Sequence, residues 1–198
     1  MQKTIATLVT TLLIAGAAQA QAQRPGEAIR PFVGFGLTFG GDTLESFDFS
    51  NGTSTKVRAG GVADFKGGVD FIVSGPVSMQ ASIGYHFDSA NGSNGDYTFS
   101  RVPLELLAYF SPTREFRIGA GLRKSVDTHV ESNGAVSGFD SSFSSKLAYV
   151  IEGEYFPWQR FGIKVRAVSE KFEGRNGVYR GKTYDGTHGG IYGVYYFF

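Results

Sequence analysis

The chain has 198 residues with 19 basic and 18 acidic side chains and no cysteine, so disulfides are excluded and the charge indicates neither a nucleic-acid partner nor a polybasic membrane patch. Met1-Gln2-Lys3, the apolar run Ile5 to Ala18 and the small-residue pattern Ala18-Gln19-Ala20 have the three parts of a secretory signal peptide. Residues 1–20 are expected to be removed, with a cut after Ala22 as the alternative, which leaves 18 basic residues against 18 acidic once Lys3 is gone. No later segment offers the roughly 18 consecutive apolar residues a membrane helix needs. Residues 21–198 fit one domain, since a domain takes roughly 100 to 200 residues.

The mature chain reads as strands because apolar and polar residues alternate with a period of two, which sends successive side chains to opposite faces. Strand one, from Phe32 to Gly40, sets Val33, Phe35, Leu37 and Phe39 against Gly34, Gly36, Thr38 and Gly40. Strand two is expected from Lys56 to Val73, with Val57, Ala59, Ala63, Phe65, Val69 and Phe71 on one face and Lys56, Arg58, Asp64, Lys66 and Asp70 on the other. Strand three sets Val77, Met79, Ala81, Ile83, Tyr85 and Phe87 against Ser78, Gln80, Ser82, Gly84, His86 and Asp88. Strand four carries Arg101, Pro103, Glu105 and Tyr109 on its polar face, with Pro103 marking a bulge, and strand five carries Arg117 and Arg123. Strand six is expected to point Phe143, Leu147, Tyr149 and Ile151 one way and Lys146, Glu152 and Glu154 the other. Strand seven places Lys164, Arg166 and Glu170 on its polar face, and the last strand, His188 to Phe198, is apolar on both faces.

The connections alternate in length. Tight proline-bearing turns at Ser74-Gly75-Pro76, Ser111 to Glu115 and Pro157 to Arg160 are separated by longer segments such as Asn91-Gly92-Ser93-Asn94-Gly95, Asn133-Gly134 and Asn176-Gly177. Short turns at one end and long loops at the other are the outer-membrane arrangement, with both termini periplasmic. Tyr109, Phe110, Phe116, Tyr155, Phe156, Trp158, Phe161, Phe197 and Phe198 gather at the short-turn end as an expected aromatic girdle. The charged face also carries the small residues, which suits a crowded interior. The fold class is therefore all-β, an eight-stranded antiparallel up-and-down transmembrane barrel, closed because open sheet edges cannot survive in hydrocarbon.

The signal ending Ala18-Gln19-Ala20, the opening Pro31-Phe32-Val33-Gly34-Phe35-Gly36 and the ending Tyr192-Gly193-Val194-Tyr195-Tyr196-Phe197-Phe198 resemble the small outer-membrane β-barrel family of OmpA and OmpX type. The resemblance implies that Tyr192, Val194, Tyr196 and Phe198 form a signal for the barrel-assembly machinery. It also implies residence in the bacterial outer membrane among its lipids, and it is specific for localisation rather than activity.

Several constellations bear on chemistry. Gly34-Phe35-Gly36-Leu37-Thr38-Phe39-Gly40 departs from the dinucleotide fingerprint and is followed by no helix, and no cofactor or metal site is expected. The inward charges are Arg58, Asp64, Lys66, Asp70, Arg101, Glu105, Arg117, Arg123, Lys146, Glu152, Glu154, Lys164, Arg166 and Glu170. They read as a paired network plugging the lumen, with a gated narrow pore as the alternative. His86, Asp88 and Ser89 supply the residue types of an acyl-transfer site, as does the segment Asp127 to Ser132 with His129. That segment resembles lipid A deacylases but carries His-Val-Glu-Ser where their motif is His-x-Ser-Asn. The aromatic residues Phe47, Phe49, Phe139, Tyr179 and Tyr184 either meet a surface ligand or pack on one another. The expected function is a non-enzymatic outer-membrane barrel with a structural or loop-mediated role, and the alternative is a lipid A-modifying enzyme.

Overall fold

A computed structural model describes residues 29–48, 54–92, 95–132 and 140–197. The signal-peptide segment, Phe49, Phe139, Phe198 and the turns at 51–53 and 133–134 lie outside the described residues. No helix among the described residues is long and apolar enough to cross a membrane.

The elements in chain order are β1 (Ile29–Gly40), β2 (Thr43–Asp48), β3 (Ser54–Arg58), β4 (Ala63–Ser74), β5 (Val77–Gly92), β6 (Gly95–Phe110) and β7 (Phe116–Ser132). They continue with β8 (Ser141–Ser145), β9 (Ala148–Trp158), β10 (Phe161–Ser169), β11 (Lys171–Gly174), β12 (Thr183–Asp185) and β13 (His188–Tyr196). Eight of these close a ring in the order β1, β4, β5, β6, β7, β9, β10, β13, every pair antiparallel. The closure can be followed residue by residue. From Phe39 the paired positions run through Gly189, Ala167, Ile151, Ala120, Ala108, Met79 and Phe71 to Ile29, so the circuit returns to β1 ten residues from where it left. That stagger tilts the strands and leaves an interior that side chains can fill.

All three tight turns sit at the end where β1 begins and β13 finishes. Ser74 pairs with Val77 around Gly75, whose φ of 49° suits glycine, and Trp158 pairs with Phe161. In the third, the Thr113 hydroxyl accepts the Phe116 N–H at 3.1 Å. At the other end the wall outgrows the ring: β8 pairs with β7, β11 with β8 and β12 with β11, extending β9, β10 and β13 upward. The hairpin β2–β3 forms a separate sheet at this end, held where Asp42 N–H meets Asp185 O at 2.6 Å and Ala59 N–H meets Asp42 O at 2.9 Å.

Three expectations need correction, the first two where an extra residue reverses which way the following side chains face. The second strand is broken by a turn at residues 59–62, so Val57 and Ala59 are buried while Arg58 is exposed. Lys146 and Leu147 both point outward between β8 and β9, which turns Phe143 inward and removes Lys146 from the interior. Tyr109, expected both on the polar face of strand four and in the girdle, follows the face and is buried inside the barrel. The bulge expected near Pro103 is present as a register shift, with Ser100 opposite His129 but Val102 opposite Val126. Its extra residue lies on β7, where Asp127 takes a left-handed φ of 46°.

The wall is apolar outside. Val33, Phe35, Leu37, Ile83, Leu106, Ile118, Ile151 and Val165 are exposed, as are Tyr85, Tyr149, Tyr155 and Trp158 at its margins. A continuous belt of this kind far exceeds the few hundred Å² of apolar patch a water-soluble monomer exposes. Hydrocarbon outside and charge inside identify a transmembrane barrel.

Candidate functional site

The interior is filled by four stacked groups of polar side chains. Nearest the short turns, Arg117 donates from Nε to Glu154 at 2.7 Å, from Nη1 to Asp70 at 3.0 Å and from Nη2 to the Tyr196 hydroxyl at 2.6 Å. Arg30 also pairs with Asp70, and the Arg117 guanidinium lies 4.0 Å from the Tyr109 ring centroid. One level up, Lys164 donates to Gln80 at 2.8 Å, to the Tyr109 hydroxyl at 2.7 Å and to Glu152 at 2.7 Å, and Tyr109 itself bonds Glu152. Above that, Glu105 collects Lys66 at 3.0 Å, Arg123 at 2.8 Å and Arg166 at 3.0 Å, while the Tyr192 hydroxyl donates to Asp64 at 2.8 Å.

The uppermost group centres on His86. Arg101 and Arg123 donate to its Nδ1 at 2.8 and 3.0 Å. Guanidinium groups are donors only, so Nδ1 accepts and the ring proton sits on Nε2, which donates to the Thr38 hydroxyl at 2.9 Å. His188 stands edge-on to His86 with ring centroids 5.1 Å apart, and the Glu170 carboxylate lies 3.3 Å from Arg123 Nε as an ion pair.

Glycines make the room for this filling. A Cβ on Gly36 would lie 2.2 Å from the Tyr192 ring, and one on Gly119 would lie 2.5 Å from the Tyr109 ring. The small residues beside the charges thus seat tyrosines that sequence reasoning assigned to a girdle or an assembly signal. A tyrosine packed over a neighbouring strand's glycine was the available clue.

Of the sequence-derived network, Asp64, Lys66, Asp70, Arg101, Glu105, Arg117, Arg123, Glu152, Glu154, Lys164, Arg166 and Glu170 are buried together, whereas Arg58 and Lys146 are outside it. Tyr192, Val194 and Tyr196 face inward. Each buried cation lies within 3.9 Å of a carboxylate, and Lys66, Arg117, Arg123, Lys164 and Arg166 hydrogen-bond one, as charges held out of water require, whereas Arg101 hydrogen-bonds His86 and lies 3.9 Å from Glu170.

An aromatic cap covers this stack at the long-loop end. Phe99 meets Phe143 and Phe172 edge-on at 5.6 and 5.5 Å, with Leu44, Val57, Val130 and Tyr179 packed around them. Tyr179 and Tyr184, left open as ligand contacts or mutual packing, pack on Phe143 and on each other. Arg101 joins cap to charges, its guanidinium 5.3 Å from Phe99 and 5.1 Å from Phe172. Burial raises the Tyr179 hydroxyl to about 12, helped by the nearby Glu45 carboxylate.

The candidate catalytic residues do not assemble. Asp88 accepts the Arg58 backbone N–H at 2.7 Å, and His86 is committed to two arginines and Thr38. His129 lies on the outer wall above the bulge with Nε2 3.2 Å from the Ser100 hydroxyl and Nδ1 3.5 Å from Asp127. Its Nε2 also lies 3.5 Å from Glu131, so the nitrogen a serine nucleophile needs as base is shared with a carboxylate, and Ser100 is buried.

No protein-family model matches the chain. No curated protein sequence matches it either. Among solved structures the chain is similar to Ail, the attachment invasion locus protein of Yersinia pestis, in complex with the heparin analogue sucrose octasulfate. The identity is 11%, 85% of this chain and 96% of that chain are covered, and the TM-score is 0.46. It is similar to Neisserial surface protein A, with 11% identity, coverage of 85% and 96% and a TM-score of 0.46. It is also similar to the outer membrane protein AlkL in DMPC bilayers, with 14% identity, coverage of 89% and 94% and a TM-score of 0.43. On its own geometry, the chain is a closed eight-stranded antiparallel barrel of transmembrane type, apolar outside and charged within.

Proposed function

We propose that this protein is a plugged barrel of the bacterial outer membrane, without enzymatic activity, whose role is structural or exercised through its outer rim and loops. The observation that carries the reading is the lumen, in which every buried cation is matched by a carboxylate and the stack ends under Phe99, Phe143 and Phe172. A conducting pore needs mobile water along its axis, whereas these side chains bond one another from Arg117 to Arg101. The long hairpins face the cell exterior and the short turns the periplasm in this reading, as outer-membrane barrels are built. The ending Tyr192, Val194, Tyr196 and Phe198 is read by the barrel-assembly machinery before β13 closes the ring.

Refolding in detergent, followed by gel migration with and without boiling and by planar-bilayer recording, tests the proposal. A β-rich, heat-modifiable band with no steady current supports it. Ohmic conductance under voltage overturns the plugged lumen, and folding without detergent overturns the membrane assignment.

A further inference from the structure

The cations outside the barrel are treated differently from those inside. Lys124 on β7, Lys146 between β8 and β9, and Lys171 on β11 are all exposed. Among the described residues none of them lies within 4.0 Å of a carboxylate. They sit on neighbouring stretches of wall. Leu122 pairs with Tyr149 and Tyr149 with Ser169, and the next outward position along each stretch is one of the lysines or its neighbour Leu147. The Lys146 N–H bonds Lys171 O at 3.0 Å, and the Lys124 ammonium reaches up to the carbonyl of Ser145, the residue before Lys146. Asp185 faces Lys171 across the strand pair and feels its charge from beyond ion-pairing distance, while accepting the Thr187 N–H at 2.8 Å.

Like charges on adjacent strands repel, so the folded wall carries a cost that a bound anion relieves. The place of the lysines says which anion. They lie at the outer margin of the apolar belt, above exposed Leu122, Tyr149 and Ile151. Lys124 extends upward along that margin, as an amphipathic side chain does when its stem lies in hydrocarbon and its charge in water. A ligand matching both features has acyl chains for the belt and phosphate for the ammonium groups.

We propose that Lys124, Lys146 and Lys171 form a binding surface for a phosphorylated lipid headgroup of the outer leaflet, whose chains pack on the wall beneath. The inference rests on insertion in the outer membrane with the long hairpins outward. It adds a lipid contact at one sector of the wall, on β7, β11 and the link between β8 and β9, to the general role proposed above.

The test uses the refolded full-length mature barrel in zwitterionic detergent, titrated with lipid A bearing its phosphates or with the dephosphorylated lipid, and bound lipid counted by native mass spectrometry. A juxtamembrane lysine is worth about fivefold in binding to an anionic headgroup, so Lys124→Gln, Lys146→Gln and Lys171→Gln together are expected to weaken phosphorylated lipid on the order of a hundredfold. Lys56→Gln and Arg58→Gln on β3, together with Arg114→Gln at the short-turn end, remove the same charge elsewhere and leave binding as it was. Equal losses in the two triple variants, undiminished binding in the first, or equal binding of dephosphorylated lipid to the unaltered barrel would each overturn the proposal. So would full displacement by inorganic phosphate at matched phosphate concentration, which marks a site for free anions, or tighter binding of a soluble anionic polysaccharide. Heat modifiability in the same preparations reports folding separately. If the triple variant does not fold, the single Lys171→Gln variant decides by its expected fivefold loss, and a barrel that folds without detergent fails the membrane reading rather than the lipid site.

Discussion

Arg117 Nη2 donates to the Tyr196 hydroxyl at 2.6 Å, tying β7 to β13 across the lumen, and Tyr196 passes its own proton toward Glu154 at 2.8 Å. The same arginine holds Asp70, so its removal leaves two carboxylates buried with less positive charge between them. Breaking a buried pair from one side costs about 3–5 kcal/mol. Arg117→Met is therefore expected to lower the urea midpoint of the refolded barrel by that equivalent, and adding Glu154→Gln to restore part of it. A midpoint unchanged in Arg117→Met would mean that the lowest polar group contributes filling and no stability.

Gly36 supports a second prediction through space alone. With the Tyr192 ring where its Cβ would be, Gly36→Ala must displace the ring and with it the bond from Tyr192 to Asp64. Overpacking of this kind costs roughly 1–3 kcal/mol. Gly67→Ala, whose Cβ meets only Phe32 O at 3.7 Å, serves as the comparison and is expected to change stability little. Equal unfolding curves for the two variants would refute the account of glycine as a seat for tyrosine.

These two residues also show what the sequence makes legible. Alternation alone gives the face of each residue along β1, β5 and β10, because those strands run without interruption. It fails wherever one residue is inserted, since the period is two and a single extra position reverses all that follow. Asp127 at its left-handed φ, the outward pair Lys146 and Leu147, and the turn before Ala63 are such places. Arg58 and Lys146 were misplaced for that reason, and Val57 and Phe143 were missed as parts of the cap. Tyr109, Tyr192 and Tyr196 were legible as aromatic but not as hydrogen-bonding members of the lumen, because their partners come from strands distant in the chain.

His129 carries a prediction about chemistry. Its Nε2 is shared between Ser100 and Glu131, and Ser100 is buried beneath it. Ser100→Ala and His129→Ala, expressed in cells lacking the native copy, are expected to leave the acyl composition of extracted lipid A and phospholipid the same as with the unaltered protein. Mass spectrometry of the extracts checks this. An acyl chain that persists in either variant but is removed by the unaltered protein would establish an esterase on the outer wall and end the non-enzymatic reading.

The aromatic cap predicts a response to alkali. Tyr97 and Tyr179 share a hydroxyl contact at 2.6 Å, with the Glu45 carboxylate 3.4 Å from Tyr179. Burial, together with that negative charge, raises Tyr179 from 10.0 to about 12. A group whose folded value is raised contributes its stabilisation in full below the unfolded value and loses it as pH passes the folded one. The cap is thus expected to be unaffected by pH up to about 10 and to loosen between about 10 and 12, while the belt and the charge stack persist. Tyrosinate absorbance of the refolded barrel should show a late-titrating component that Tyr179→Phe removes, with protease cleavage confined to the long-loop end appearing over the same interval. Ionisation of Tyr179 near 10 would show that its hydroxyl is solvated in the folded protein, and would place the closure of the outer mouth on Phe99, Phe143 and Phe172 alone.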